Sequence, residues 1–271
     1  MHTITDYIIR ERWEDFTTEE HDRWKFLFDR QMTIFQGRVA QEHIDSLKRL
    51  NISADRIPKF EEISKILKEH TGFEIAAVPG LVPEDIFFKM LKNRQFPSTT
   101  FLRTPDKIDY LQEPDIFHDI FGHIPLLVIP AFADYMEAFA TIALKALERS
   151  AEDVIRAARI YWFTIEFGLI RQNGGLRTYG AGIVSSYKET IYCVEDPKPI
   201  RTQFDLARVM RTDYRIDDLQ KNYFVIDSYE ELFNATLQDH TALLDSLQKL
   251  PLIPAGTMIE GEENIPANTP L

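Results

Sequence analysis

Apolar positions recur at helical spacing along most of this chain, and the interruptions fall largely at proline and glycine. In residues 17–51, Thr17 and Glu20 stand at capping-box spacing while Trp24, Leu27, Phe28 and Phe35 share one face, which predicts a helix with a buried stripe. Phe60, Ile63 and Leu67 predict a second helix over 58–71, with Gly72 as its left-handed exit. A third is expected to begin at Pro83, whose missing N–H costs nothing at a helix start, and to stop before Pro97. Glu84 and Asp85 then lie at the positive end of its dipole. Helical spacing returns over 130–149 and 152–172, the latter ended by Asn173-Gly174-Gly175, then more briefly over 185–194 and 202–211, and at length over 229–250. Only 98–104 and 222–227 read as short strands. The pattern predicts a mainly α fold, a single domain of packed helices with a few short β-strands over residues 1–250. The tail, 251–271, holds four of the 14 prolines and is expected to be extended or mobile.

Composition narrows the class. With 271 residues, 44% hydrophobic and 12% aromatic, the chain buries a sizeable core without staples. Its 31 Lys+Arg against 43 Asp+Glu give a net charge of −12, a field that repels phosphate backbones and anionic membranes, so neither nucleic acid nor membrane is expected as a partner. A single cysteine, Cys193, excludes an internal disulfide framework and a cysteine-cluster metal site. No signal-like or membrane-spanning apolar run occurs, so a cytoplasmic protein is expected. The phosphate-cradling glycine motifs and the GxSxG elbow are missing, and Gly180-Ala181-Gly182 lacks a third glycine.

The informative chemistry lies in two stretches. EPDIFHDIFGHIPLL, residues 113–127, carries two of the seven histidines, His118 and His123, among Ile, Phe and Leu. On an ideal helix residues five apart lie about 140° from each other, so a shared metal needs a distorted or ending helix. Gly122 permits a departure just before His123, Pro125 disfavours α geometry at Ile124, and Asp115 and Asp119 offer a carboxylate to orient a ring nitrogen. The plainer alternative is a pair of helix-end histidines bonded to backbone. In RIYWFTIEFGLIRQ, residues 159–172, Glu166 is the only charge between the flanking arginines, and a buried carboxylate needs a cation, either an arginine from elsewhere or a metal. Trp162, four residues before Glu166, shares its face on an α-helix. Two histidines and a glutamate suit non-haem ferrous iron with open positions, though zinc is possible on ligand type. His2, His21, His43, His70 and His240 sit in polar surroundings and read as surface residues.

With these residues in view the chain resembles the pterin-dependent aromatic amino acid hydroxylases, specifically the short bacterial phenylalanine 4-hydroxylases. PDIFHDIFGHIPLL, IYWFTIEFGL and YGAGIVSSYKE match the family's blocks in order, and with the region from Val78 to Arg103 the likeness spans 78–227. It implies a catalytic domain with its active site in a central cleft, and His118, His123 and Glu166 as ligands of Fe(2+). Tetrahydropterin is implied against Gly80, Leu81, Val82 and Phe87, with Asp119 and Tyr161 beside it. Asp119 stands where animal relatives have a longer glutamate, which leaves room for an intervening water.

On the substrate side the resemblance implies Arg103 on the carboxylate of L-phenylalanine, Tyr110, Pro114 and Trp162 around its ring, and Ser185 near the first histidine. Leu111 replaces a threonine of animal relatives, so one polar substrate contact is expected to be absent. The implied reaction takes dioxygen and a reduced pterin that supplies two electrons, and adds oxygen at the para carbon to give L-tyrosine. Trp162 leaves less room for an indole substrate, and Ile216 falls where tyrosine hydroxylases carry an aspartate, so phenylalanine is favoured over tryptophan hydroxylation, the nearest alternative. An HD-type metal-dependent phosphohydrolase, suggested by His118-Asp119, is the alternative from another class, and a helical binding protein with a structural metal is the non-enzymatic one. Without room for the regulatory domain or tetramerisation helix of vertebrate members, a monomer or homodimer is expected.

Overall fold

The computed structural model describes residues 2–109 and 113–269. Helix α1 (Thr18–Phe35) opens on the expected capping box, with Thr17 accepting from the Glu20 N–H and the Glu20 carboxylate accepting in return, and buries Trp24, Leu27 and Phe35. It does not run on to residue 51: the chain turns through Gly37 and starts again as α2 (Gln41–Arg49). Helix α3 (Phe60–Thr71) ends on left-handed Gly72, and α4 (Glu84–Lys92) starts with Pro83 as its cap rather than its first residue. The long helices of the centre are α5 (Pro130–Leu147) and α6 (Ala151–Ile160). Phe132, Tyr135, Met136 and Phe139 of α5 are fully or nearly fully buried, at the middle of the main core.

Strands are more numerous than the sequence pattern suggests. β1 (Glu74–Val78) pairs in parallel with β2 (Gln95–Thr99), so the strand expected over 98–104 lies three residues earlier and contains Pro97, which a two-stranded sheet tolerates because both strands are edges. The helix expected over 152–172 stops at Glu166, and Leu169–Gln172 is instead β3, hairpinned to β4 (Gly175–Thr178). Asn173 and Gly174 both have positive φ, the backbone a two-residue hairpin turn requires. After the short α7 (Ala181–Val184) and α8 (Tyr187–Glu195), β5 (Ile200–Gln203) takes the start of an expected helix and leaves α9 (Leu206–Arg211). With β6 (Asn222–Ile226) they complete a four-stranded sheet of order β4-β3-β6-β5, parallel except at the hairpin. The long helix expected at the end is two, α10 (Tyr229–Ala235) and α11 (His240–Leu247).

The segment after α11 is extended along the body: Ile253 bridges Thr212, Glu262 pairs with Arg208 at 2.5 Å, and the Asn268 side chain bonds both backbone groups of Leu176. No single described helix is long and apolar enough to cross a membrane; the one pair that passes jointly, His118–Val128 with Pro130–Leu147, is bent by 112°.

Candidate metal centre and active site

The two informative stretches meet through the same distortion. His118–His123 and Tyr161–Glu166 are both π-helical turns, closed by the bonds Ile124 N–H to Asp119 O and Phe167 N–H to Trp162 O. An i to i+5 ring brings residues five apart onto one face, which removes the angular objection to His118 and His123 sharing a ligand. Pro125 is not the cause, because Ile124 keeps α geometry and a 3-10 segment, Ile124–Val128, follows. Nor is Gly122 there for a special φ. A Cβ at Gly122 would meet the Ala181 carbonyl oxygen at 3.0 Å, and one at Gly182 would meet Glu166 Oε2 at 3.0 Å, so these glycines let α7 press against both ligand turns. That close approach is the role of a motif that sequence reading only excluded as a nucleotide cradle.

His118 Nε2, His123 Nε2 and the Glu166 carboxylate converge: the two nitrogens are 3.1 Å apart, and they stand 3.6 and 3.1 Å from Glu166 Oε2 and Oε1. Ligand atoms about 2.1 Å from a first-row metal and at right angles to one another are ~3.0 Å apart, so the set fits one face of an octahedral ion. Among the described residues this is the one His/Cys/Asp/Glu group so arranged, and Glu166 has no arginine or lysine partner. The basic groups that face it are the two imidazoles themselves, so the cation it needs is a proton on one of them or a metal held by all three.

Ser185 prepares the first histidine. Its hydroxyl donates to the Ala181 carbonyl at 2.8 Å, so its oxygen accepts from His118 Nδ1–H at 3.0 Å and leaves the Nε2 lone pair toward the metal position. Burial alone pushes the Glu166 carboxyl up, but the charges of His123 and His118 and their hydrogen bonds hold it well below the usual carboxylate range. Burial pushes the His118 imidazole down, yet Glu166, with Asp119 and Asp115, brings it above its ordinary value. A divalent metal at this point would supply the positive charge that Glu166 favours, taking the place of a proton on an imidazole.

Neither aspartate orients a ring nitrogen, contrary to expectation. Asp115, fully buried, takes Arg103 Nε and Nη2 at 2.8 Å each and the main-chain N–H groups of Arg103 and His118 at 2.8 and 3.0 Å. Burial would raise its carboxyl; Arg103 and these N–H groups hold it below the ordinary range. Arg103, 7% exposed, is no surface arginine, and among the described residues its Nη1 has one partner, the Ile108 carbonyl at 3.5 Å. Asp119 accepts from the Thr99 N–H at 2.8 Å and hydroxyl at 2.9 Å, and burial leaves its carboxyl above the usual value despite the neighbouring histidines and Thr99. Both clamps join residues far apart in the chain, which no local pattern announces.

Of the expected pocket aromatics, Tyr161 is the one beside the candidate metal group, its ring 6.0 Å from His123 and 5.5 Å from Phe87. Phe96 lies nearer to His123, at 4.9 Å. Trp162 stacks on Tyr214 at 4.3 Å and donates its indole N–H to Gln220 Oε1 at 3.0 Å, two contacts that sequence reading did not foresee. Gly80, Leu81 and Val82 form the link from β1 to α4, with Gly80 facing Glu113, Leu81 73% exposed and Val82 packed near Val78 and Ile86. Pro114 is half-buried, and Tyr110 and Leu111 lie outside the described residues. One histidine reverses its expectation: His43, read as a surface residue, is wholly buried against Phe35 and Phe121.

Comparison with known proteins agrees with the chemistry of this site. Residues 11–260 match the family described as biopterin-dependent aromatic amino acid hydroxylase. The phenylalanine-4-hydroxylase of Ralstonia nicotianae is 48% identical over 97% of this chain and 84% of its own. The crystal structure of Chromobacterium violaceum phenylalanine hydroxylase with bound oxidised Fe(III) superimposes with a TM-score of 0.93 at 44% identity, covering 98% of this chain and 96% of that one. The same enzyme with iron(III) and 7,8-dihydrobiopterin gives 0.91 at 44% identity over 98% and 95%. On the family match over nearly the whole chain and on these relatives, the chain belongs to the biopterin-dependent aromatic amino acid hydroxylases.

Proposed function

We propose that this chain is an iron- and tetrahydropterin-dependent monooxygenase that converts L-phenylalanine to L-tyrosine. The observation that carries the reading is the convergence of two imidazoles and one carboxylate with no arginine or lysine partner among the described residues, the donor set that would leave one face of a ferrous ion open. Iron and reduced pterin, when bound, supply the activation of dioxygen, and the pterin supplies two electrons. The residues of the chain bind and orient. His118, His123 and Glu166 hold the metal, and Ser185 keeps the His118 lone pair toward it. The pterin lies against Gly80, Leu81, Val82 and Phe87, with Asp119 and Tyr161 beside it. Arg103 meets the substrate carboxylate through the guanidinium edge that Asp115 leaves, the planar fork suited to two oxygens. Trp162, Pro114 and Tyr110 surround the ring in a cleft whose apolar walls exclude water.

The family match over residues 11–260 favours the hydroxylase over the phosphohydrolase alternative, and Asp119, which an HD pair would need, gives its Oδ2 to the Thr99 N–H and hydroxyl. Residues 1–250 are proposed as the catalytic domain and 251–271 as its appended tail, in a cytoplasmic monomer or homodimer. Anaerobic reconstitution with ferrous iron, followed by assay of tyrosine formation from phenylalanine with a tetrahydropterin and dioxygen, tests the reading. Tyrosine formed in step with pterin oxidation is expected; iron binding without tyrosine overturns it.

A further inference from the structure

We infer that Gln220 is a positioning residue for substrate selection, fixing the plane of the Trp162 indole and through it the shape of the aromatic pocket. The inference rests on the reading that Trp162 walls that pocket. Gln220 is 3% exposed and its orientation is determined by its neighbours. Its side-chain NH2 donates to the Arg215 carbonyl at 2.7 Å and the Asp218 carbonyl at 3.4 Å, which leaves the amide oxygen for the indole N–H at 3.0 Å. A flipped amide would set its NH2 against the indole N–H and its oxygen against two carbonyls. The main chain is fastened as well: the Gln220 N–H donates to Glu189 Oε1 at 3.2 Å, an oxygen that also accepts from the Tyr223 hydroxyl.

The acceptor facing Trp162 is therefore held by four further hydrogen bonds, three made by Gln220 itself and one by Tyr223 to Glu189. Tyr214, six residues earlier, stacks on the indole at an interplanar angle of 18°, and Phe167 approaches it at 4.6 Å. Stacking fixes the height of a ring but lets it slide and turn in its plane. One directional hydrogen bond at the indole edge removes that freedom. A residue that only fastened its own loop would use its N–H and NH2 donors and have no need of an acceptor at the indole.

The test is a double-mutant cycle on the ratio of kcat/KM for phenylalanine to that for tryptophan, in the iron-loaded enzyme, with Trp162→Phe, Gln220→Met and the pair. Trp162→Phe alone is expected to lower the ratio. Gln220→Met is expected to change it by about threefold or more, mainly through KM, and to have no further effect once Trp162 is phenylalanine. In the metal-free protein, the indole ¹⁵N–¹H resonance that disappears in Trp162→Phe is expected to shift in Gln220→Met. An unchanged ratio in Trp162→Phe removes the pocket reading and the inference with it. A changed ratio there with none in Gln220→Met, or a Gln220→Met effect of equal size in both backgrounds, overturns the inference and leaves the pocket reading standing. If Gln220→Met does not fold, Gln220→Asn decides by the same outcomes, since it stays polar while drawing the oxygen back by one methylene.

Discussion

On opposite sides of one π-helical turn the protein buries histidines in two environments. On one side His118 and His123 face Glu166; on the other His43 lies against Phe35 and Phe121, where among the described residues neither ring nitrogen makes a well-formed hydrogen bond and the Phe121 backbone is the one group favouring its protonated form. Desolvation pushes both His118 and His43 down, and the outcomes are opposite. His118 stands above its ordinary value because Glu166, Asp119 and Asp115 outweigh burial, whereas burial pushes His43 down to about 3. A desolvated imidazole is thus a candidate metal ligand or a core filler according to the carboxylates beside it, and burial alone does not distinguish them.

The largest break in this comparison comes from removing a donor on the charged side. His118→Ala, His123→Ala and Glu166→Ala are each expected to reduce bound iron to background and abolish hydroxylation, while far-ultraviolet circular dichroism stays that of a folded protein. Metal analysis after gel filtration, alongside tyrosine formation, checks this. Full iron occupancy with normal turnover in any one variant returns that residue to a structural role.

Next in size is the Arg103–Asp115 pair. Arg103→Lys keeps the charge but loses the fork, so KM for phenylalanine is expected to rise by a factor corresponding to about 1–3 kcal/mol. Since Asp115 is wholly buried and uses both oxygens on Arg103, the melting temperature falls too. Iron content is expected to hold. A lower melting temperature with an unchanged KM would assign Arg103 to the fold alone. Ser185→Ala, which removes the acceptor of His118 Nδ1–H, is expected to weaken iron binding by about 10–100-fold in a chelator competition. An unaltered affinity there means that packing against α7 suffices to set the ring.

These contrasts also mark what the sequence made legible. A single carboxylate in an apolar aromatic helix and two histidines five apart are local signals, and they pointed to the three side chains that converge as a candidate metal group. The helices with strong stripes and end signals, such as the one from the Thr17 cap and the one closed by Gly72, were equally readable. What was hidden depends on partners distant in sequence. EIAAV, Glu74–Val78, is too short and apolar for its period to separate strand from helix, and it becomes a strand by pairing with Gln95–Thr99. Leu169–Gln172 continued a helical pattern, and the Asn173-Gly174 turn signal was read as a helix end instead of a hairpin. His43 carries polar neighbours along its helix, so its sequence context describes the exposed face while the imidazole points at Phe121, 78 residues away. The clamp of Asp115 on Arg103 and the bond from Trp162 to Gln220 are of the same kind.

The smallest expected effect tests the apolar side, where His43 serves stability and not chemistry. Its ordinary value is 6.5 and its value in the fold about 3, so the folded state keeps it neutral while the unfolded chain takes up a proton. The sign follows: its neutral form contributes fully above pH 6.5, and that contribution is lost as pH falls toward 3, at a slope approaching 1.4 kcal/mol per pH unit. His43→Leu fills a similar volume between the same rings and has nothing to protonate. Both proteins share every other titrating group, so the difference in their urea-unfolding free energies isolates this one. Between pH 7.5 and pH 5.5 it is expected to move by about 1.4 kcal/mol in favour of the leucine variant, with iron content and turnover at neutral pH unchanged. A difference constant with pH would mean that the imidazole finds a partner for its proton inside the fold, and the contrast with His118 would then lie in the strength of that partner rather than its absence.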